Sequence, residues 1–212
     1  DVGICIDGDI SRLPLLVLAH GAGAPMDSEF MNRMTELLLE RGIAVARFEF
    51  PYMIERRLHG KKRPPNQQKV LLACWCSVIQ RLRKLMLQLD STQMLFIGGK
   101  SMGGRMASLI ADQCAVKGLV CLGYPFHPAG KPEKTRTEHL HTLKTPSLIV
   151  QGTRDKLGNV SDVAGYDLSD NIKMFWLEDG DHDFKPRVKS GLTQAQHMQA
   201  TAETIKQFVA IG

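Results

Sequence analysis

Short apolar segments alternate with longer amphipathic segments along the 212-residue chain. The short segments are bounded by Gly, Pro or charged residues, which is typical of β-strands. Several are apolar throughout, as expected of parallel strands that are covered on both faces. The predicted strands are 15–19, 43–48, 93–98, 118–123, 146–151 and 172–177, with 2–6 as a candidate edge strand.

The amphipathic segments between these strands carry the period of α-helices. The segment 27–42, DSEFMNRMTELLLERG, begins with a capping residue, places Phe30, Met34 and Leu38 on one face and stops at Gly42. The same reasoning predicts helices over 68–89, 102–115 and 193–210. Segments 51–67 and 124–145 show neither period, and we expect loops there.

This alternation of strands and helices predicts an α/β fold. We expect a mostly parallel central sheet of six to seven strands with helices on both faces. The length and the even composition favour one domain over residues 1–212, without a separate lid domain.

Charge and hydropathy exclude some classes of partner. The 27 Lys and Arg residues exceed the 22 Asp and Glu residues by a dispersed net charge of +5, which disfavours nucleic acid as the partner. The longest apolar stretch, 13–25, is interrupted by His20 and is shorter than the roughly 20 residues of a membrane span, so we expect no membrane partner. The odd number of cysteines, five, favours reduced thiols and a cytoplasmic location.

One serine lies in a context typical of a catalytic nucleophile. Ser101 stands in GGKSMGGR, directly after the predicted strand 93–98 and before the predicted helix 102–115. A G-x-S-x-G sequence between a strand and a helix forms a sharp turn that presents the serine Oγ above the sheet. A serine in an ordinary glycine-rich loop is the alternative, which the flanking strand and helix disfavour.

A serine nucleophile needs a base and a third group that orients the base. Asp155 follows the strand 146–151 in GTRDKLG, and His182 follows the strand 172–177 in EDGDHDF. Because each residue follows a different strand at the same edge of the sheet, we expect them to meet near Ser101. The alternatives to Asp155 as the acid are Asp179, Asp181 and Asp183.

Acyl transfer also needs two hydrogen-bond donors for the developing oxyanion. The first candidate is the backbone N–H of Met102, at the positive end of the predicted helix. The second is the N–H of Ala22, which lies in HGAGAP after the strand 15–19.

The motifs HGAGA, GGKSMGGR, QGTRD and GDHDF together resemble the α/β-hydrolase superfamily, and more narrowly its dienelactone-hydrolase-like branch. The stretches FEFPYM, KKRPPN and GYPFHP are similar to the testis-expressed hydrolase-like family and its bacterial relatives. That family includes the hydrolase-like domain of a subunit of the non-specific lethal chromatin complex. The resemblance implies a minimal α/β-hydrolase fold without a lid. Dienelactone hydrolases use cysteine where this chain has Ser101, so the resemblance does not imply their substrate.

Residues after the strands at this edge are expected to form the walls of a substrate site. The candidates are Met26, Tyr52, Tyr124 and Phe126. A basic segment, residues 56–63, is a candidate binding surface for an anionic substrate or a partner, and its alternative role is a solvated face. Its cations are Arg56, Arg57, Lys61, Lys62 and Arg63.

Two functions follow from these patterns. The first is a serine hydrolase that acts on a small-molecule ester or related acyl bond through Ser101, His182 and Asp155, with no metal or organic cofactor. The second is an interaction module on a hydrolase scaffold, which binds a protein or polyanionic partner through the basic segment.

Overall fold

A seven-stranded, mostly parallel sheet lies at the centre of the computed structural model, which describes residues 2–211 and leaves Asp1 and Gly212 outside. The strands are β1 (Ile4–Asp7), β2 (Leu15–Ala19), β3 (Ala44–Phe48), β4 (Leu95–Lys100), β5 (Gly118–Leu122), β6 (Ser147–Gly152) and β7 (Ile172–Leu177). Their order in the sheet is β1-β3-β2-β4-β5-β6-β7. Only β1 runs antiparallel to its neighbour. The predicted sheet, including its edge strand, is confirmed.

Helices cover both faces of this sheet. They are α1 (Glu29–Leu39), α2 (Pro51–His59), α3 (Gln68–Gln88), α4 (Met102–Ser108), α5 (Val160–Val163) and α6 (Gln194–Ile211), with 3₁₀ turns at Glu138–Leu140 and Val188–Ser190. The apolar sides of α1 and α6 pack on one face, and those of α3 and α4 pack on the other. Across residues 2–211, no helix combines the length and the apolar character that crossing a membrane requires.

The uninterrupted apolar sequence of β2 follows from its central position. Leu15 and Val17 point into the cluster with α3 and α4, whereas Leu16 and Leu18 point into the cluster with α1 and α6. All four side chains are fully buried. A strand covered on both faces has no solvent-facing position, so its sequence does not alternate.

Two local predictions were wrong. Residues 51–59 form α2 rather than a loop: Pro51 occupies the first helical turn, and Gly60 ends the helix in the left-handed region with φ 66°. Only Tyr52 and Met53 of α2 are buried, so a helix this short gives no recognisable period. The helix predicted over 102–115 ends at Ser108, and turns continue to residue 115.

The candidate functional residues all follow the carboxyl ends of strands. In the register of the sheet, Ala19 at the end of β2 pairs with Gly99 of β4, and Gly152 of β6 pairs with Leu177 of β7. The loops after these strands therefore leave the sheet at one edge, where open α/β sheets bind their ligands.

Candidate active site

Ser101 occupies a strained turn between β4 and α4. Its backbone has φ 50° and ψ −116°, and L-amino acids with a side chain rarely adopt a positive φ. The turn requires close backbone approach, because a Cβ placed on Gly103 would lie 2.5 Å from the carbonyl oxygen of Ala19 and 2.6 Å from that of His20. The glycines of the motif therefore allow α4 to begin directly against the end of β2.

Replacing Gly103 with alanine is expected to lower the free energy of unfolding by at least about 2 kcal/mol, because its methyl group meets backbone atoms that cannot rotate away. Urea denaturation of both proteins measures the difference. Gly23→Ala is the matched control, since a Cβ at Gly23 has no neighbour within 4 Å. A Gly103→Ala variant as stable as the wild type would contradict the close contact between α4 and β2.

The structure brings Ser101, His182 and Asp155 together in one chain of hydrogen bonds. Nε2 of His182 lies 2.9 Å from Oγ of Ser101, and Nδ1 lies 2.7 Å from Oδ2 of Asp155. The Asp155 side chain is fully buried, and it also accepts hydrogen bonds from Leu157 N (2.8 Å) and from Gln151 Nε2 (3.0 Å). The buried carboxylate is thus held in one orientation by three donors.

These contacts determine which nitrogen of His182 carries the proton in the neutral imidazole. An ionised carboxylate only accepts hydrogen bonds, so Nδ1 of His182 donates to Asp155 and the lone pair of Nε2 faces Ser101. In this tautomer the imidazole can accept the proton of the Ser101 hydroxyl, which is the arrangement that general-base activation of a serine requires.

A second serine–histidine pair in the molecule lacks this arrangement. Ser108 Oγ lies 2.8 Å from Nε2 of His139, but the hydroxyl donates its proton to the carbonyl of Arg105 at 2.7 Å. His139 must therefore donate to Ser108, and burial lowers the pKa of His139 to about 4. Ser108 is also buried, so this pair is structural.

The loop after β2 brings a second backbone N–H to the cavities that Ser101 lines. Ala22 lines the same cavities as Ser101, and among residues 2–211 the N–H groups of Ala22 and Met102 donate to no other group. Both N–H groups are therefore available to bind an oxyanion. For Met102 this is expected, because the first N–H groups of a helix have no partner within the helix.

Two buried side chains hold this loop in place. Phe50 N donates to Nε2 of His20 (3.1 Å), so Nδ1 of His20 carries the proton and donates to the carbonyl of Gly21 (2.7 Å). Burial lowers the pKa of His20, which keeps the ring neutral. The Tyr52 hydroxyl donates to the carbonyl of Ala22 at 3.0 Å. Tyr52 is thus an anchor of the loop rather than a wall of the substrate site.

Two cavities meet at Ser101, and Ala22 lines both. The first cavity has a volume of about 430 Å³, and its walls include Leu71, Met102, Arg105, Pro125, Arg136 and Leu157. The second cavity has a volume of about 380 Å³, and its walls include Phe30, Met31, Lys100, His182 and Asp183. Both volumes suit a small molecule.

The expected substrate walls at Tyr124, Phe126 and Met26 are corrected by the structure. Tyr124 and Phe126 are fully buried, with ring centroids 4.8 Å apart in the core, and only Pro125 between them faces the first cavity. Met26 lines neither cavity; its backbone N–H donates to Glu49. In an irregular loop, side-chain direction depends on local backbone angles that the sequence pattern does not reveal.

Sequence reasoning also missed the role of Lys100. Its side chain is buried next to Ser101 in the chain, and Nζ donates to the carbonyl of His182 (2.7 Å) and pairs with Asp183 (3.3 Å). Burial lowers the pKa of Lys100, although the nearby carboxylates oppose this shift. Lys100 thus connects β4 to the loop that carries His182.

Part of the basic segment is bound within the molecule. Arg57 pairs with Glu49 at 2.6 Å and with Asp27 at 2.7 Å, and Arg56 donates to the carbonyl of Gly23 at 3.0 Å. These contacts of the two arginines stabilise the loop after β2. The exposed Lys61 and Lys62 remain on the surface.

The chain matches the model of a known protein family. The family model described as an alpha/beta hydrolase domain matches residues 12–210. The chain therefore belongs to the alpha/beta hydrolase domain family.

Solved structures share this fold at low sequence identity. Est1E from Butyrivibrio proteoclasticus, solved with ferulic acid bound, has a TM-score of 0.71 and 18% identity over 99% of this chain and 96% of its own. Dienelactone hydrolase from Anabaena variabilis has a TM-score of 0.70 and 16% identity over 99% of this chain and 91% of its own. XC6422 from Xanthomonas campestris, an α/β serine hydrolase without a lid, has a TM-score of 0.65 and 16% identity over 96% of this chain and 88% of its own. The narrower resemblance to the testis-expressed family stays a prediction.

Proposed function

We propose that this protein is a serine hydrolase that cleaves a carboxylic ester or a related acyl bond through an acyl-enzyme intermediate. The observation that carries the proposal is the hydrogen-bond chain from Asp155 through His182 to Ser101, whose strained turn opens into both cavities. A buried acid, an oriented imidazole and an accessible hydroxyl are the groups that this chemistry needs.

The reaction begins when Ser101 Oγ attacks the carbonyl carbon while Nε2 of His182 takes the hydroxyl proton. The negative charge that develops on the carbonyl oxygen is bound by the N–H groups of Ala22 and Met102. As the tetrahedral intermediate collapses, His182 returns the proton to the leaving-group oxygen and the acyl group stays on Ser101. Water, deprotonated by His182, then attacks the acyl carbon, and His182 passes this proton to Ser101 Oγ as the bond to the acyl group breaks and the acid is released.

The positions of the cavities assign the two parts of such a substrate. The proton of the leaving group comes from His182, so the leaving group must lie on the side of the imidazole. His182 lines the second cavity and not the first. In this proposal the second cavity therefore holds the leaving group, and the first cavity holds the acyl chain.

The alternative function as an interaction module is not favoured. Arg56 and Arg57, two of the five cations on which it depended, bind groups of the same chain. A scaffold also has no need for the tautomer of His182 that the buried Asp155 imposes.

Active-site labelling tests the proposal independently of the natural substrate. A fluorophosphonate probe is expected to react with the wild-type protein, and mass spectrometry of its peptides is expected to locate the adduct on Ser101. Ser101→Ala should remain unlabelled, whereas Ser108→Ala, which removes the hydroxyl of the buried pair, should be labelled like the wild type. A folded wild-type protein that does not react would overturn the proposal.

A further inference from the structure

Two arginine side chains line the first cavity together with Ser101 and have no acidic partner. Among residues 2–211, neither Arg105 nor Arg136 takes part in an ion pair, and no Asp or Glu lines this cavity. Other arginines of the molecule, such as Arg47 and Arg57, are paired with carboxylates. Two cations without an acidic partner thus line the cavity that contains the candidate nucleophile.

Arg105 lies four residues after Ser101, about one turn further along α4. Its side chain has one hydrogen bond, a long contact of 3.4 Å from Nη2 to the Gln68 side-chain oxygen. Its Nε is buried without an acceptor, which is a costly state for a charged donor. Nη1 of Arg105 also has no hydrogen-bond partner among residues 2–211 but is not buried, so it is the donor that an acceptor in the cavity can reach.

Arg136 reaches the same cavity from the segment between β5 and β6. Its backbone is fixed, because its N–H donates to Phe126 O (2.7 Å) and its carbonyl accepts from the Tyr124 hydroxyl (2.9 Å). Within the described chain its guanidinium donates no hydrogen bond. Partial burial and the charge of Arg105 both lower the pKa of Arg136, so the two cations repel each other across the cavity.

We propose that the first cavity binds an acyl chain that ends in an anionic group, held by Arg105 and Arg136. This inference rests on the proposed function, which places the acyl chain in the first cavity. A carboxylate can accept parallel hydrogen bonds from a planar guanidinium, and it would neutralise the repulsion between the two arginines.

The other walls of the cavity suit the part of the substrate between the carbonyl and the anion. Leu71 and Met106 are buried apolar residues, and Pro125 and Leu157 add apolar surface to the same cavity, whose polar walls besides the arginines include Asn66 and Gln68. Such a surface favours methylene groups over polar ones. The substrate class is therefore a half-ester or half-thioester of an aliphatic dicarboxylic acid. Ser101 would attack its esterified carbonyl, and Arg105 and Arg136 would bind its free carboxylate.

Matched substrate pairs test this inference. The probes are 4-nitrophenyl hydrogen adipate, suberate and sebacate, each compared with its neutral methyl ester of the same chain. At one or more lengths, kcat/KM is expected to be about tenfold or more higher for the anionic ester, the size of effect expected for a charge-assisted hydrogen bond. A ratio of one or below at every length would overturn the inference.

Arginine variants assign the preference to this cavity. Arg105→Gln and Arg136→Gln are each expected to lower the ratio between anionic and neutral esters toward one. Arg136→Lys, which keeps the charge, should retain part of the preference. Arg12→Gln removes the same charge from a side chain that is 84% exposed and should leave the ratio unchanged. A ratio that survives in both glutamine variants would contradict the inference.

A binding measurement separates this inference from the proposed function. Calorimetry on Ser101→Ala compares monomethyl adipate, suberate and sebacate with their neutral dimethyl esters, and tighter binding of the anion is expected. If the wild type hydrolyses no ester but Ser101→Ala prefers the anions, the proposed function fails and the anion site stands. If the wild type hydrolyses neutral esters but neither assay shows a preference, the anion site fails and the hydrolase stands.

Discussion

Replacing Ser101 with alanine is expected to lower kcat by at least about 10³-fold for any ester that the wild-type protein hydrolyses. Alanine keeps the Cβ and tolerates the turn as serine does, but it has no Oγ to attack the carbonyl carbon. His182, Asp155 and the two N–H donors remain, so the variant retains only the catalysis that binding and oxyanion stabilisation supply.

Hydrolysis of 4-nitrophenyl esters with acyl chains from acetate to octanoate measures this loss and the length preference of the first cavity in one series. Ser108→Ala is the matched control, because it removes a serine hydroxyl that also lies within hydrogen-bond distance of a histidine. We expect its kcat to stay within a few-fold of the wild-type value. Turnover by Ser101→Ala at a tenth of the wild-type rate or more would identify another nucleophile.

The sheet and the meeting of the three candidate catalytic residues could be predicted because both depend on strand order. In a parallel sheet all strands end at the same edge, so any residue directly after a strand lies near that edge. Ser101, Asp155 and His182 follow β4, β6 and β7 in this way. Predicting that these three residues meet therefore required no knowledge of side-chain packing.

The walls of the site could not be predicted in the same way. Tyr52, Tyr124 and Phe126 follow strands that end at the same edge of the sheet as β4, but their side chains are buried in the core. Arg136 reaches the first cavity from an irregular segment with no period that could indicate its direction. Arg105 carried a usable signal, since it stands four positions after Ser101, and residues four apart share one face of a helix.

Asp155→Asn is expected to lower kcat by about 10⁴-fold while the protein stays folded. The backbone N–H of Leu157 donates to Oδ1 of residue 155 and cannot change its direction, so the amide oxygen of an asparagine would take this place. The amide NH₂ would then face Nδ1 of His182, which would have to become the acceptor, and Nε2 of Gln151, which would lose its acceptor. The proton would move to Nε2, and His182 could no longer accept the proton of Ser101.

The alternative orientation of the asparagine does not restore activity at low cost. It would place the amide oxygen against His182 and Gln151 but two donors, the NH₂ and the Leu157 N–H, against each other in a fully buried site. The neutral amide would also lack the negative charge that stabilises the imidazolium formed during the reaction. Asp167→Asn is the control, because it removes an exposed carboxylate that also pairs with a histidine, His141, and lines neither cavity. Steady-state kinetics and thermal denaturation of both variants provide the test. If Asp155→Asn kept kcat within tenfold of the wild-type value, Asp155 would not determine the tautomer of His182, and Asp179 or Asp181 would have to be considered as the acid.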